Sequence, residues 1–252
     1  MKDPKSILIT GASSGIGQGL ATLYAAPGVS LALTGRNAER LDAVAASCRE
    51  QGATVHPKLI DVAERSAMDA WIREIDAQSP LDLVIANAGI GLGPNDEPTL
   101  ADITERTFAT NVDGVFNTIH PALKRMKARR RGQVAIMSSV AGFVGMPGAV
   151  PYAASKAAVR SYGEGLRGAY HRHGVEVNVI CPGFIVTRMT ERNRFPMPFL
   201  MQADKASKII VKGLARNKGR IAFPWRMYTL IRLLQMLPNA LADRLLRRSP
   251  SK

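Results

Sequence analysis

The chain is short of the residues that would mark a secreted, metal-binding or membrane-spanning protein. Among 252 residues, Cys48 and Cys181 are the two cysteines. They stand far apart with no CxxC pattern, which predicts two reduced, mostly buried thiols in a reducing compartment, not a disulfide framework. The four histidines, His56, His120, His171 and His173, form no HExxH or Cys/His ligand pattern, so no metal site is expected. Ser139 sits in no GxSxG elbow, which leaves a hydrolase triad unsupported. Apolar runs fall short of the roughly 20 residues that cross a bilayer. The opening Met1 to Ser6 enters a strand pattern with no apolar signal region, so a cytoplasmic location is expected. Nothing is low-complexity or repeated at a fixed period.

Acidic residues are scarce too. There are 20 Asp and Glu against 34 Lys and Arg, a net charge of +14. Such an excess commonly serves nucleic acid or an anionic membrane. Here residues 203–252 hold 12 Lys and Arg against Asp204 and Asp243, a net of +10, so the charge belongs to the end of the chain. A second cluster (Lys124, Arg125, Lys127, Arg129, Arg130, Arg131) reads as a solvated helix C-terminus, where cations oppose the helix dipole.

What is present is a regular alternation. Short apolar runs at Ser6–Thr10, Val29–Thr34, Thr54–Leu59, Leu81–Ala86, Gln133–Ser138, Glu176–Ile180 and Arg220–Phe223 read as strands. Amphipathic stretches at 15–26, 37–51, 63–77, 99–108, 111–128 and 152–172 read as helices. Strand–helix alternation predicts a parallel sheet covered on both faces. The fold class is therefore α/β, a doubly wound, Rossmann-type, mostly parallel seven-stranded sheet in one domain. Residues 1–190 make the core, 191–224 a substrate lid with the last helix and strand, and 225–252 a basic amphipathic extension.

Thr10-Gly-Ala-Ser-Ser-Gly-Ile-Gly17 follows the first strand and opens the first helix. Gly11, Gly15 and Gly17, with Ser13, Ser14 and Ile16 among them, let the backbone approach a pyrophosphate at the helix N-terminus. The second strand ends Leu33-Thr34-Gly35-Arg36, with no carboxylate to bond a ribose 2′-hydroxyl. Arg36 suits a 2′-phosphate, so NADP(H) is expected over NAD(H).

Tyr152 and Lys156 lie four residues apart in Pro-Tyr-Ala-Ala-Ser-Lys, and Ser138-Ser139 ends an apolar run upstream. On a helix this pair shares one face, about one turn apart. A cation beside a phenol favours its ionised form, which makes tyrosine a usable acid and base. Pro151 suits a first helical turn.

With the glycine turn, Asn87-Ala-Gly89, Ser138-Ser139, Tyr152-x-x-x-Lys156 and Pro182-Gly183 in order, the chain resembles the short-chain dehydrogenase/reductase family over about residues 5–190. The resemblance implies a catalytic set of Asn111, Ser139, Tyr152 and Lys156. Tyr152 would act as acid in carbonyl reduction and base in alcohol oxidation. Lys156 would lower its pKa and bind the nicotinamide ribose, and Ser139, 13 residues before the tyrosine, would bond the substrate oxygen. The Asn111 amide would hold a water in a proton relay. Asp61 and Val62 would contact adenine, and Asn87, Ala88 and Gly89 the adenosine ribose side. Pro182, Gly183, Ile185 and Thr187 would hold the nicotinamide end. Ala86 stands where the family often has a further asparagine, and one structural hydrogen bond fewer is expected. A homodimer or homotetramer paired through helices 111–128 and 152–172 is also implied.

The function expected is hydride transfer between NADP(H) and a carbonyl or secondary alcohol. The alternatives are a non-catalytic nucleotide-sensing or interaction protein, and an epimerase or dehydratase on the same fold. Phe195, Met197, Phe199, Leu200 and Met201, with Phe143 and Val144 after the serine, point to a lipophilic substrate or simply to a docked lid. From Trp225 to Leu237 polar residues recur at Arg226, Thr229, Arg232 and Gln235. After Pro238 a second amphipathic piece carries Leu241, Leu245 and Leu246 with Arg244, Arg247 and Arg248. Packing on its own domain or a subunit, and contact with the inner membrane surface, both fit this pattern. Nucleic acid is not expected.

Overall fold

The computed structural model describes residues 1–91, 99–191, 193 and 195–246. Arg247 and Arg248 lie outside the described residues. Seven strands form one sheet: β1 Ser6–Thr10, β2 Ser30–Gly35, β3 Thr54–Leu59, β4 Leu83–Ala86, β5 Gly132–Met137, β6 Val175–Pro182 and β7 Arg220–Phe223. Their order is β3-β2-β1-β4-β5-β6-β7 and each pairing is parallel. The helices are α1 Gly15–Tyr24, α2 Ala38–Glu50, α3 Arg65–Gln78, α4 Leu100–Phe108, α5 Gly114–Ala128, α6 Val150–His171, α7 Arg188–Glu191, α8 Ala203–Ala215, α9 Trp225–Met236 and α10 Asn239–Leu246.

Strands β1, β4 and β5 are buried at every position, as a parallel sheet covered on both faces requires. Side chains alternate across the sheet. Ile7, Ile9, Leu31, Leu33, Leu83 and Ile85 join one core with residues of α1, α2 and α8. Leu8, Ala32, Val84, Ala86, Val134 and Ile136 join the other, under α3, α5 and α6. Pro57 is tolerated in β3 because that strand is an edge, paired with β2 alone.

The strands depart from the sequence expectation at their ends. Leu81 is buried, yet β4 starts at Leu83. The Arg129 guanidinium bonds both oxygens of the buried Asp76 and the Leu81 carbonyl, while Asp76 accepts the Leu81 N–H. That clamp also corrects the reading of the 124–131 cluster as wholly solvated. Arg129 ties the end of α5 to α3, and Arg131 pairs with Asp82 at 3.0 Å.

The predicted helices 99–108 and 111–128 are joined by a π-helical turn, Ala109–Asp113, with Asn111 at its centre. Pro151 does sit in the first turn of α6. Helix α8, which had no bounds in the sequence reading, packs Ala206, Ile210 and Leu214 into the core beside α1.

Candidate active site

The chain leaves β1 toward β2 and β3 and returns through β4, so strand order reverses between β1 and β4. A crevice opens at their C-terminal ends. The Thr10 hydroxyl accepts the Asn87 and Ala88 N–H groups at 3.0 and 3.1 Å. The Asn87 amide donates to the Thr10 and Gly11 carbonyls at 2.9 and 3.2 Å. These bonds hold the glycine turn against Asn87-Ala-Gly89. Gly11 has φ +65 and Gly15 φ +56, conformations that favour glycine. At Gly17 a Cβ would lie 2.2 Å from the Gly11 carbonyl oxygen, so a side chain there is excluded. No side chain caps α1, and its first turn holds no acid. Its leading N–H groups are therefore suited to an anion.

The cleft has a volume of about 960 Å³. Its wall contains each of the eighteen residues expected to contact a dinucleotide, from Gly11 to Thr187. Arg36 is more than half exposed there and lies 3.6 Å from Asp61. Arg40, in the first turn of α2, lines the same cleft and has a buried Nε without a hydrogen-bond partner. It was not singled out from the sequence; a second arginine in the helix that follows the second strand was the available signal. The glycine turn also approaches the opposite wall, because a Cβ on Gly15 would come within 2.9 Å of Thr187 Cγ2.

At the far end, α6 carries Tyr152 and Lys156 along one face. Lys156 is 3 % exposed and donates to the Met137 carbonyl at 3.0 Å. Its ammonium stands 5.7 Å from the Tyr152 ring centroid. Burial holds the Lys156 amine down at about 8, with Cys181 acting in the opposite sense. Burial also pushes the Tyr152 phenol above its ordinary 10, and hydrogen bonding with Ser139 pulls it part of the way back. At the phenol, then, desolvation outweighs the help from Ser139.

The two serines separate cleanly. Ser138 is committed to the backbone, donating to the Lys156 carbonyl at 2.7 Å. Ser139 accepts the Ala141 N–H at 3.1 Å, donates weakly to the Pro182 carbonyl at 3.3 Å and faces Tyr152. Asn111 stands behind the cleft, fully buried. Its amide donates to the Ile90 carbonyl and the Ser155 hydroxyl, at 3.0 and 3.1 Å, and accepts the Ile90 N–H at 2.8 Å. Both amide hydrogens are thus taken up by protein partners. Asn111 ties the strand-end segment beyond Gly89 to the root of α6.

Phe143 is corrected as well. It is not a substrate wall but a buried anchor, with the Arg160 and Arg220 guanidinium groups 4.5 and 5.2 Å from its ring centroid. Tyr228 of α9 packs edge-on against it, and Gln235 donates to its carbonyl. In the lid, Phe195 packs on Phe184 and Met201 bridges to Ile185, while Phe199 and Leu200 remain exposed.

A family model for short chain dehydrogenases matches residues 5–196. An uncharacterized oxidoreductase of Myxococcus xanthus is 39% identical over 245 residues, 97% of each chain. Gluconate 5-dehydrogenase of Gluconobacter oxydans is 35% identical over 187 residues, 73% of each chain. Among solved structures, a short-chain dehydrogenase from Sphingobium yanoikuyae in complex with NADPH superposes with a TM-score of 0.79 at 27% identity. That match covers 93% of this chain and 97% of the other. The switch-point cleft, the glycine turn and these matches agree: the chain belongs to the short-chain dehydrogenase family and is an oxidoreductase.

Proposed function

We propose that the protein is an NADP(H)-dependent reductase of lipophilic carbonyl compounds, able to run in reverse on secondary alcohols. The observation that carries this reading is the pair Tyr152 and Lys156 at one end of a cleft whose other end presents Arg36 and Arg40, with Ser139 set against the phenol from behind the cleft wall.

The residues present fit a phosphorylated dinucleotide. The glycine turn leaves room for a pyrophosphate over the N-terminus of α1. Arg36 and Arg40 supply charge-assisted bonds to a 2′-phosphate. The half-exposed Arg36–Asp61 pair is worth at most about 1 kcal/mol and yields readily to that phosphate. When bound, the nicotinamide supplies or takes up the hydride.

The remaining work falls to the chain. Burial keeps the Tyr152 phenol protonated at neutral pH, so it donates its proton to the carbonyl oxygen as negative charge develops there. Ser139 donates a second hydrogen bond to that oxygen. A protonated Lys156, one turn along α6, supports the transient phenolate and reaches the nicotinamide ribose. Asn111 holds this arrangement from behind through Ser155 and Ile90. The apolar lid residues Phe195, Met197, Phe199, Leu200 and Met201 favour a lipophilic substrate. Pairing through α5 and α6 is supported by an aromatic cluster on their outer side. There, His120 bonds Tyr162 at 2.8 Å and stacks on Phe116.

The test is a panel of carbonyl compounds followed by NADPH absorbance. Stoichiometric NADPH consumption is expected, and its absence with product formed would favour an epimerase or dehydratase. Tyr152→Phe should lower turnover by about 10²- to 10⁴-fold while NADPH binding persists. Undiminished turnover in that variant overturns the mechanism.

A further inference from the structure

Helix α9 is apolar on two sides, and its own domain covers one of them. The inner side buries Met227 and sets Tyr228 and Ile231 against the Phe143, Val179 and Cys181 cluster. The outer side exposes Trp225 by 69%, Leu233 by 54% and Met236 by 80%. Beyond Pro238 the same character continues in α10, where Leu241 and Leu245 are each more than half exposed. A helix apolar all round is normally buried, and an exposed patch of this kind marks an interaction site.

The charge around the patch identifies its partner. Arg226, Arg232 and Arg244 surround the apolar side chains, and none pairs with an acid among the described residues. Arg226 lies over the Trp225 ring at 5.6 Å, and Arg232 donates to the Gln235 side-chain oxygen at 3.3 Å. Asp243 is the one acid between 225 and 252. A two-fold contact with a second copy would bring these arginines against their own equivalents, with that aspartate alone to offset them. Nucleic acid offers anions but nothing for Leu233, Met236 and Leu241 to enter. A surface that is anionic outside and hydrocarbon beneath satisfies both halves.

We propose that the outer face of α9 and α10 docks on an anionic lipid bilayer, lying in its surface. No helix among the described residues is long and apolar enough to cross a membrane, and α9, with 12 residues, spans about 18 Å. The fold then sets the cleft beside the lipid. Strand β7 is parallel to β6, so α9 springs from the sheet edge that carries the glycine turn, Ser139 and Pro182. Its root touches the cleft wall, since a Cβ on Gly183 would lie 2.6 Å from Met227 Sδ. Delivery of a lipophilic substrate from the bilayer rests on the function proposed above; the docking itself does not.

The full chain is tested by flotation with phosphatidylcholine vesicles, with and without about one third phosphatidylglycerol. Binding to the anionic vesicles alone is expected, with a blue shift of Trp225 emission against the constant signal of buried Trp71. Arg226→Gln and Arg232→Gln should each weaken partitioning by roughly fivefold, and by about 25-fold together. Leu233→Asp with Met236→Asp, both exposed and so compatible with folding, should abolish binding and the shift. Equal partitioning into both vesicle types, or none into either, overturns the proposal. So does conversion of a wild-type dimer to monomer by Leu233→Asp with Met236→Asp, measured by light scattering, which would assign the face to a second copy. Because partitioning needs no turnover, an inactive enzyme that still binds vesicles would overturn the proposed function and leave the docking intact.

Discussion

Replacing Lys156 with methionine should make the nucleotide-free protein more stable while removing its activity. Lys156 is 3 % exposed, its hydrogen-bond acceptor is the Met137 carbonyl, and burial holds its amine down at about 8 against an ordinary 10.5. At about 1.4 kcal/mol per tenfold, that gap means the buried ammonium costs the fold about 3 kcal/mol below pH 8. Methionine has a similar reach and no charge to desolvate. It forfeits the bond to Met137, worth about 1 kcal/mol, so the net gain is about 2 kcal/mol at pH 7. For a chain of this length that corresponds to a Tm rise of about 4 °C. The sign of the pH dependence follows from the folded value lying below the unfolded one. Between 8 and 10.5 the unfolded chain still binds a proton that the folded chain has released, so wild-type stability climbs with pH relative to the variant. The variant's advantage should be full below pH 8 and close to zero by pH 10. Cys181, pushed up to about 12 by burial, stays a thiol across this window. Urea unfolding of both proteins at pH 7 and pH 10 measures the difference. A variant less stable at pH 7, or a difference that ignores pH, would refute the reasoning.

Arg36→Gln should raise KM for NADPH by about 10-fold or more and leave that for NADH unchanged, as expected for loss of a charge-assisted bond to a 2′-phosphate. Steady-state kinetics with both cofactors checks it, and an equal effect on the two would assign Arg36 to the Asp61 pair alone. Gly17→Ala places a methyl 2.2 Å from the Gly11 carbonyl oxygen and must push α1 off the glycine turn. We expect NADPH binding, followed by fluorescence, to weaken more than 100-fold, with a stability loss of about 1–3 kcal/mol. Wild-type affinity in that variant would mean that the close approach is not needed.

Much of the fold was legible in local pattern. A buried parallel strand needs a short apolar run, and each of the seven runs became a strand, with ends shifted by one or two residues in several. The shifts have local causes that lie far off in sequence: Leu81 is drawn out of β4 by Arg129 and Asp76. The lining of the cleft was also legible, since glycines that permit close approach must be written where the turn occurs. Arg40 was less so, because its role depends on whether α2 turns it toward the cleft.

The sequence by itself determined the sheet, the nucleotide turn and the Tyr152–Lys156 spacing, because each depends on residues within one element or one turn. The tertiary structure alone decided what the neighbouring side chains are for. It gave Ser138 to the Lys156 carbonyl and turned Ser139 to the phenol. It spent the Asn111 amide on Ile90 and Ser155, and set Phe143 against two arginines outside the cleft lining. It also showed which side of α9 the domain leaves uncovered. Those assignments rest on partners 13 to more than 70 residues distant, and a hydrogen bond or a buried face acquires its meaning only when folding brings the partner within reach.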